Sequence, residues 1–261
     1  MWKILRIIII SSLLSVPAYA RPIRHVVKLS TANFNPKALS GLIYWFDAAD
    51  ASTISLATGV SQWSDKSGSG FHATQGTAAR QPQYSNTLNG RKVLTFSNAS
   101  QYYMLFSGSM RVNTLAVVWK ATYATFPRFD GILSARTSLA TLTSNGAWNG
   151  GVQGVQFGTN LCGLGQTTTA AFVDGVSVTP GNFDSYLTGV NSSPLQSAHT
   201  FIHTDDVLSD GAMYFGIGVD VYDIARSFDG DIGEIIAWNR ALSSGEINQV
   251  QRYLKLKWGT V

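Results

Sequence analysis

The tightest constraint in this sequence is a hairpin signal past its midpoint. In Phe172-Val173-Asp174-Gly175-Val176-Ser177-Val178, an Asp-Gly pair stands between valines. A two-residue type I′ turn needs φ > 0 at both central positions, and Asp followed by Gly supplies them at little cost. The rest of the chain has a related texture. Leu42-Ile43-Tyr44-Trp45-Phe46, Lys92-Val93-Leu94-Thr95-Phe96, Leu115-Ala116-Val117-Val118-Trp119, Tyr214 to Val219 and Ile232 to Trp238 are strand-length runs rich in apolar residues. They are dominated by β-branched and aromatic residues and separated by Gly, Asn, Ser and Asp. No βαβ alternation and no fixed internal period interrupts them. The pattern predicts an all-β fold: an antiparallel two-sheet jelly-roll sandwich.

One helix is predicted, at the C-terminus. Ser243 and Glu246 have capping-box spacing, and Ile247, Val250, Leu254 and Trp258 follow on one face,. Gly259 is a natural stop. The Gly- and amide-rich stretch 145–169 reads as long loops or a weak edge hairpin.

The first twenty residues fall outside this pattern. Lys3 and Arg6 precede a short apolar run, Ile7 to Val16, and Ala18-Tyr19-Ala20 is a small-x-small cleavage site. Residues 1–20 are therefore expected to be a signal peptide, 21–39 an N-terminal arm and 40–258 the folded domain. The apolar run is shorter than the roughly 20 residues a spanning helix needs, so no membrane span is expected after cleavage. The destination is secreted, periplasmic or extracellular. Losing Lys3 and Arg6 takes the formal charge from +4 to +2, so the basic pI is partly the leader's. No basic run with interleaved aromatics follows, which argues against nucleic acid as a partner. Cys162 is the only cysteine, which excludes an intrachain disulfide and thiolate zinc clusters,.

Three ordered blocks resemble a known family. Gly41-Leu42-Ile43-Tyr44-Trp45-Phe46-Asp47-Ala48-Ala49-Asp50 is followed by Trp63-Ser64-Asp65-Lys66-Ser67-Gly68-Ser69-Gly70 and His72-Ala73-Thr74. The hairpin at Phe172 to Val176 comes next. Then come Phe228-Asp229-Gly230-Asp231-Ile232-Gly233-Glu234-Ile235-Ile236, Asn239-Arg240-Ala241-Leu242-Ser243 and Glu246-Ile247. Together they resemble laminin G-like jelly-roll domains of the concanavalin A-like lectin/glucanase superfamily. The resemblance implies a bias toward glycans, matrix or a cell surface, but no single activity. Residue by residue, the blocks read as structural. Asp65 before Ser67-Gly68-Ser69-Gly70 caps its own turn, and Trp45, Trp63 and Trp238 belong to the core.

Catalysis has one foothold. Laminarinase-like hydrolases of that superfamily carry Glu-x-Asp-x-x-Glu on one strand. Asp229-Gly230-Asp231-Ile232-Gly233-Glu234 keeps the spacing with Asp first. A retaining mechanism needs two carboxyls about 5–5.5 Å apart, and the shorter Asp draws a nucleophile back. Of 15 acidic residues only Glu234 and Glu246 are glutamates. Lyase chemistry would need a base such as His199 or His203, but no motif groups them with a charge-neutralising partner. His72 and His25 read as turn and arm residues.

For binding, sugars present C–H patches rimmed by hydroxyls, which call for aromatic faces beside amides. Trp148 between Asn145 and Asn149 is the first candidate, and Tyr102 with Tyr103 the second. Asp205, Asp206 and Asp210 offer hard oxygen ligands of the type Ca2+ takes. Asn98-Ala99-Ser100 and Asn191-Ser192-Ser193 fit glycosylation sequons. The expectation is a secreted, lectin-like or adhesive domain without catalysis, binding carbohydrate or a cell-surface glycoprotein. The alternatives are a β-glucan hydrolase using Asp229, Asp231 and Glu234, and a structural domain that binds protein.

Overall fold

The computed structural model describes residues 34–122, 131–136, 153–156, 162–163, 168–178, 198–205, 213–220 and 223–260. Two antiparallel sheets carry the fold. Edge to edge, the first runs Leu42–Asp47, Gly230–Trp238, Thr114–Ala121, His199–Asp205, Thr168–Val173 and Val176–Val178. Gly230–Trp238 changes neighbours along its length. Residues 230–232 pair with Leu94–Phe96, whereas 234–238 pair with Leu42–Asp47, and the register shifts at Gly233.

The second sheet runs Cys162–Gly163, Gln153–Gln156, Gly131–Arg136, Met213–Ile217, Met104–Met110, Ala73–Thr74, Val60–Trp63 and Ile54–Leu56. Gln153–Gln156 and Cys162–Gly163 pair antiparallel at this sheet's edge, within the glycine-rich stretch that reads as long loops or a weak edge hairpin. A single parallel bridge, Gly131 to Ser227, interrupts an otherwise antiparallel set of pairings among the described residues. Asp174 and Gly175 have φ of 52° and 83°, as the hairpin signal requires.

The apolar runs are continuous because their strands are buried on both faces. Tyr44, Phe46, Leu115, Val117, Trp119, Ile235 and Ala237 point to the core between the sheets. The alternating residues Trp45, Ala116, Val118, Ile236 and Trp238 point the other way, to a second apolar cluster. That cluster is closed by the helix, Ser244–Trp258, the one α-helix among the described residues. Its stripe of Ile247, Val250, Leu254 and Trp258 is wholly buried. Ser243 and Glu246 complete the capping box, and Gly259 ends the helix at φ 66°. Phe34 and Leu39 also pack on this layer, Phe34 with its ring 5.4 Å from that of Tyr253. The expected run Lys92 to Phe96 divides in two. Arg91–Lys92 pairs with Thr87–Leu88, while Leu94–Phe96 joins the first sheet.

Candidate functional site

The strand that could carry a catalytic pair has its acids committed to the fold. Glu234 lies on the helix side of the first sheet and is fully buried. Its Oε1 accepts from the indole Nε1 of Trp45 and the hydroxyl of Tyr253, both at 2.7 Å. Its Oε2 accepts from Lys257 Nζ at 2.8 Å and from Trp258 Nε1 at 2.6 Å. Four donors fill the lone pairs that a carboxylate offers.

The register puts Asp47 directly opposite Glu234 on the neighbouring strand. Two like charges so placed repel, and Lys257 Nζ joins them, 2.6 Å from Asp47 Oδ1. Lys66 continues the chain of charges, 2.9 Å from Asp47 Oδ2 and 2.7 Å from Asp50 Oδ2, with its ammonium 4.4 Å above the Trp45 ring. Burial pushes the Glu234 carboxyl upward; the Lys257 ammonium pulls it back, and Asp47 adds to the rise. Burial and the adjacent Glu234 hold the Tyr253 phenol far above its ordinary range, so it serves as a neutral donor. The arrangement locks the helix to the sheet. It leaves no space beside Glu234 for a sugar ring.

Asp231 and Asp229 are committed as well. Asp231 Oδ1 accepts from Thr95 Oγ1 at 2.6 Å and Asn86 Nδ2 at 3.1 Å. Asp229 Oδ1 accepts from the Asn98 backbone N–H at 2.8 Å. The Asn98 side-chain amide, the acceptor of the first sequon, donates to the Ser227 carbonyl at 2.7 Å. Each of the three acids thus has its own set of partners. Sequence reasoning missed Asp47, Tyr253, Lys257 and Trp258 as Glu234's company. One signal was available: a lone acid within an otherwise apolar run, Ile232 to Trp238, demands buried partners.

Asp65 acts as a turn cap. Its Oδ1 accepts from the Trp45 and Ser67 backbone N–H groups at 2.9 and 2.8 Å. Its Oδ2 accepts from Ser67 Oγ at 2.6 Å. His72 Nδ1 accepts from the Asp65 backbone N–H at 3.1 Å. His199 is fully buried, stacked 4.9 Å from Trp119, with Nδ1 2.7 Å from Asp174 Oδ2. It belongs to the core and the hairpin turn rather than to the surface.

Tyr102 and Tyr103 are half-buried. Tyr102 packs against the main core, and the Arg80 guanidinium lies 5.9 Å over the Tyr103 ring. Trp148, Asn145 and Asn149 lie outside the described residues, as do Asp206, Asp210 and Asn191. Asp205 ends its strand opposite Thr168. Among the described residues no group of three His, Cys, Asp or Glu side chains is placed to hold a metal.

No family model matches the chain, and no curated protein sequence matches it. Among solved structures it is similar to domain 4 of an extracellular GH43 arabinanase from Geobacillus stearothermophilus in complex with arabinotriose. The identity is 14% over 81% of this chain and 96% of that one, with a TM-score of 0.43. It is also similar to Trypanosoma rangeli sialidase in complex with the inhibitor DANA, at 14% identity and a TM-score of 0.42. That match covers 84% of this chain but only 34% of the sialidase. Likenesses this distant assign neither a ligand nor an activity to this chain.

Proposed function

We propose that this chain is an exported, laminin G-like sandwich that binds glycan without cleaving it. One observation carries the non-catalytic half of this reading: Glu234, the strand's sole glutamate, is fully buried beneath the helix with four donors. A general acid must reach the leaving oxygen of its substrate, and a carboxylate enclosed by two indoles, a phenol and an ammonium does not. The binding half is supported by the sequence: aromatic side chains set among amides at Trp148 and at Tyr102-Tyr103,. Of the two described members of that set, Tyr102 packs against the main core and Tyr103 is half-exposed beside Arg80.

The test is a glycan array and a β-glucan incubation with the mature protein. Retention on at least one polysaccharide, weakened by Trp148→Ala or Tyr103→Ala, is the expected result, with no new reducing ends. Release of reducing ends by the wild-type protein overturns the non-catalytic reading. Adhesion to cells without retention on any glycan makes the partner a protein.

A further inference from the structure

We propose a ligand site apart from the residues put forward for binding or catalysis and from the Glu234 network: a pocket of about 280 Å³ between the C-terminal helix and the Asp174-Gly175 turn. Its ligand is an acidic sugar unit. The choice of a sugar rests on the glycan-binding reading; the pocket itself and the sign of its charge do not.

The helix builds one wall. Asn248, Gln251, Arg252 and Lys255 are spaced 3, 1 and 3 residues apart, so they share the flank beside the buried apolar stripe,. Thr200, on the helix side of its strand, and Thr260, just past the helix, line the pocket as well. Two of these side chains have polar atoms that the fold does not use. Gln251 Nε2 and Thr260 Oγ1 are shielded from solvent and have no hydrogen-bond partner among the described residues. Folded proteins seldom bury such atoms without a partner. Both residues line the pocket, but these two atoms are themselves shielded from it, so the Gln251 and Thr260 side chains must turn for a ligand to bond to them.

The charge of the pocket selects the ligand. Among the described residues Asp174 is the one carboxylate lining it, and both its oxygens are used, Oδ1 by the Thr200 backbone N–H and Oδ2 by His199. Arg252 and Lys255 are exposed and form no ion pair among the described residues. Two such cations beside two amides and two hydroxyls match a ring bearing one carboxylate and several hydroxyls. Arginine holds a carboxylate through two parallel hydrogen bonds, while amides and hydroxyls both donate to and accept from sugar hydroxyls. The volume lies just below the usual range of about 300–1,000 Å³ for small-molecule sites, which suits a single ring.

Sodium glucuronate and glucose are the probes, titrated into the mature protein with amide chemical shifts as readout. Glucuronate is expected to saturate, with shifts centred on residues 248–255, and glucose to bind at least tenfold more weakly. Arg252→Ala is expected to weaken glucuronate at least tenfold, and Gln251→Leu to weaken it as well, each with the melting temperature unchanged. Equal binding of the two sugars, no saturation by wild type, or an Arg252→Ala variant that binds as wild type does overturns the site. Polysaccharide retention with no response to glucuronate overturns this site and leaves glycan binding elsewhere intact. Glucuronate binding that depends on Arg252, with no polysaccharide retained, supports the site and overturns the wider glycan-binding reading.

Discussion

Asp47 and Glu234 face each other across neighbouring antiparallel strands and share one ammonium, Lys257 Nζ, at 2.6 and 2.8 Å. The lysine comes from the last turn of a helix that is remote in sequence from Asp47. Its side chain ties two strands and the helix at one point, inside the layer that the apolar stripe closes.

Removing one partner from that point should be costly. Lys257→Met leaves Glu234 fully buried with neutral donors only, and breaking a buried ion pair costs about 3–5 kcal/mol. Lys66→Met, at the more exposed end of the network, should cost about 1 kcal/mol or less,. Urea unfolding of the two variants checks the ranking. Equal losses would show that burial of the Glu234 end contributes nothing special.

Gly233 should resist a side chain. A Cβ there would meet the Trp258 ring at 2.9 to 3.1 Å, the same ring whose Nε1 reaches Glu234. Gly233→Ala forces the indole outward and is expected to destabilise by about 1–3 kcal/mol. Near-ultraviolet circular dichroism should change with it, because Trp258 moves.

Acid should loosen the helix cap. The Arg240 guanidinium, 2.6 Å away, and the Ser243 backbone N–H hold the Glu246 carboxyl at about 2, below its ordinary 4.5. A carboxyl lowered by folding gives stability that is complete above its unfolded value and lost as pH falls toward its folded one. The loss therefore lies between about pH 4.5 and 2. Asp50, lowered to about 2 chiefly by Lys66 and then by Ser52, adds to the same acid limb. Denaturation midpoints measured from pH 7 to 2 should fall over that window, and Glu246→Gln should flatten part of the fall.

The helix start offers a separate test. Ser243→Ala removes the side chain that caps the Glu246 N–H and should cost about 1 kcal/mol,. Ser243→Asp restores an acceptor there and should recover most of that loss in the same melting experiment.

Much of the fold was legible because its signals are local. The Asp174-Gly175 pair needed nothing beyond its own two dihedral angles to announce a hairpin, and Ile247, Val250, Leu254 and Trp258 needed only their spacing to define a buried stripe. The site was less legible. Asp229, Asp231 and Glu234 keep the spacing of a catalytic strand, yet the register shift at Gly233 falls between Asp231 and Glu234. Asp231 answers to Thr95 and Asn86, and Glu234 to the helix. His199 looked available as a base but stacks inside the core on Trp119. Spacing along a strand says which residue types are near one another; it does not say what covers them.

The amino-acid sequence alone determined several of the strands, the hairpin turn and the capped helix, since each depends on side-chain period and turn chemistry within a few residues. Only the tertiary structure decided that Glu234 would be a structural anchor. That outcome depends on Asp47, Tyr253, Lys257 and Trp258 arriving from both ends of the folded domain, and on a helix laid over the strand. The same packing sets Gln251, Arg252 and Lys255 against the hairpin turn. A long-range meeting of this kind leaves no local period to read, because it is fixed by strand register and by burial of the helix's other face.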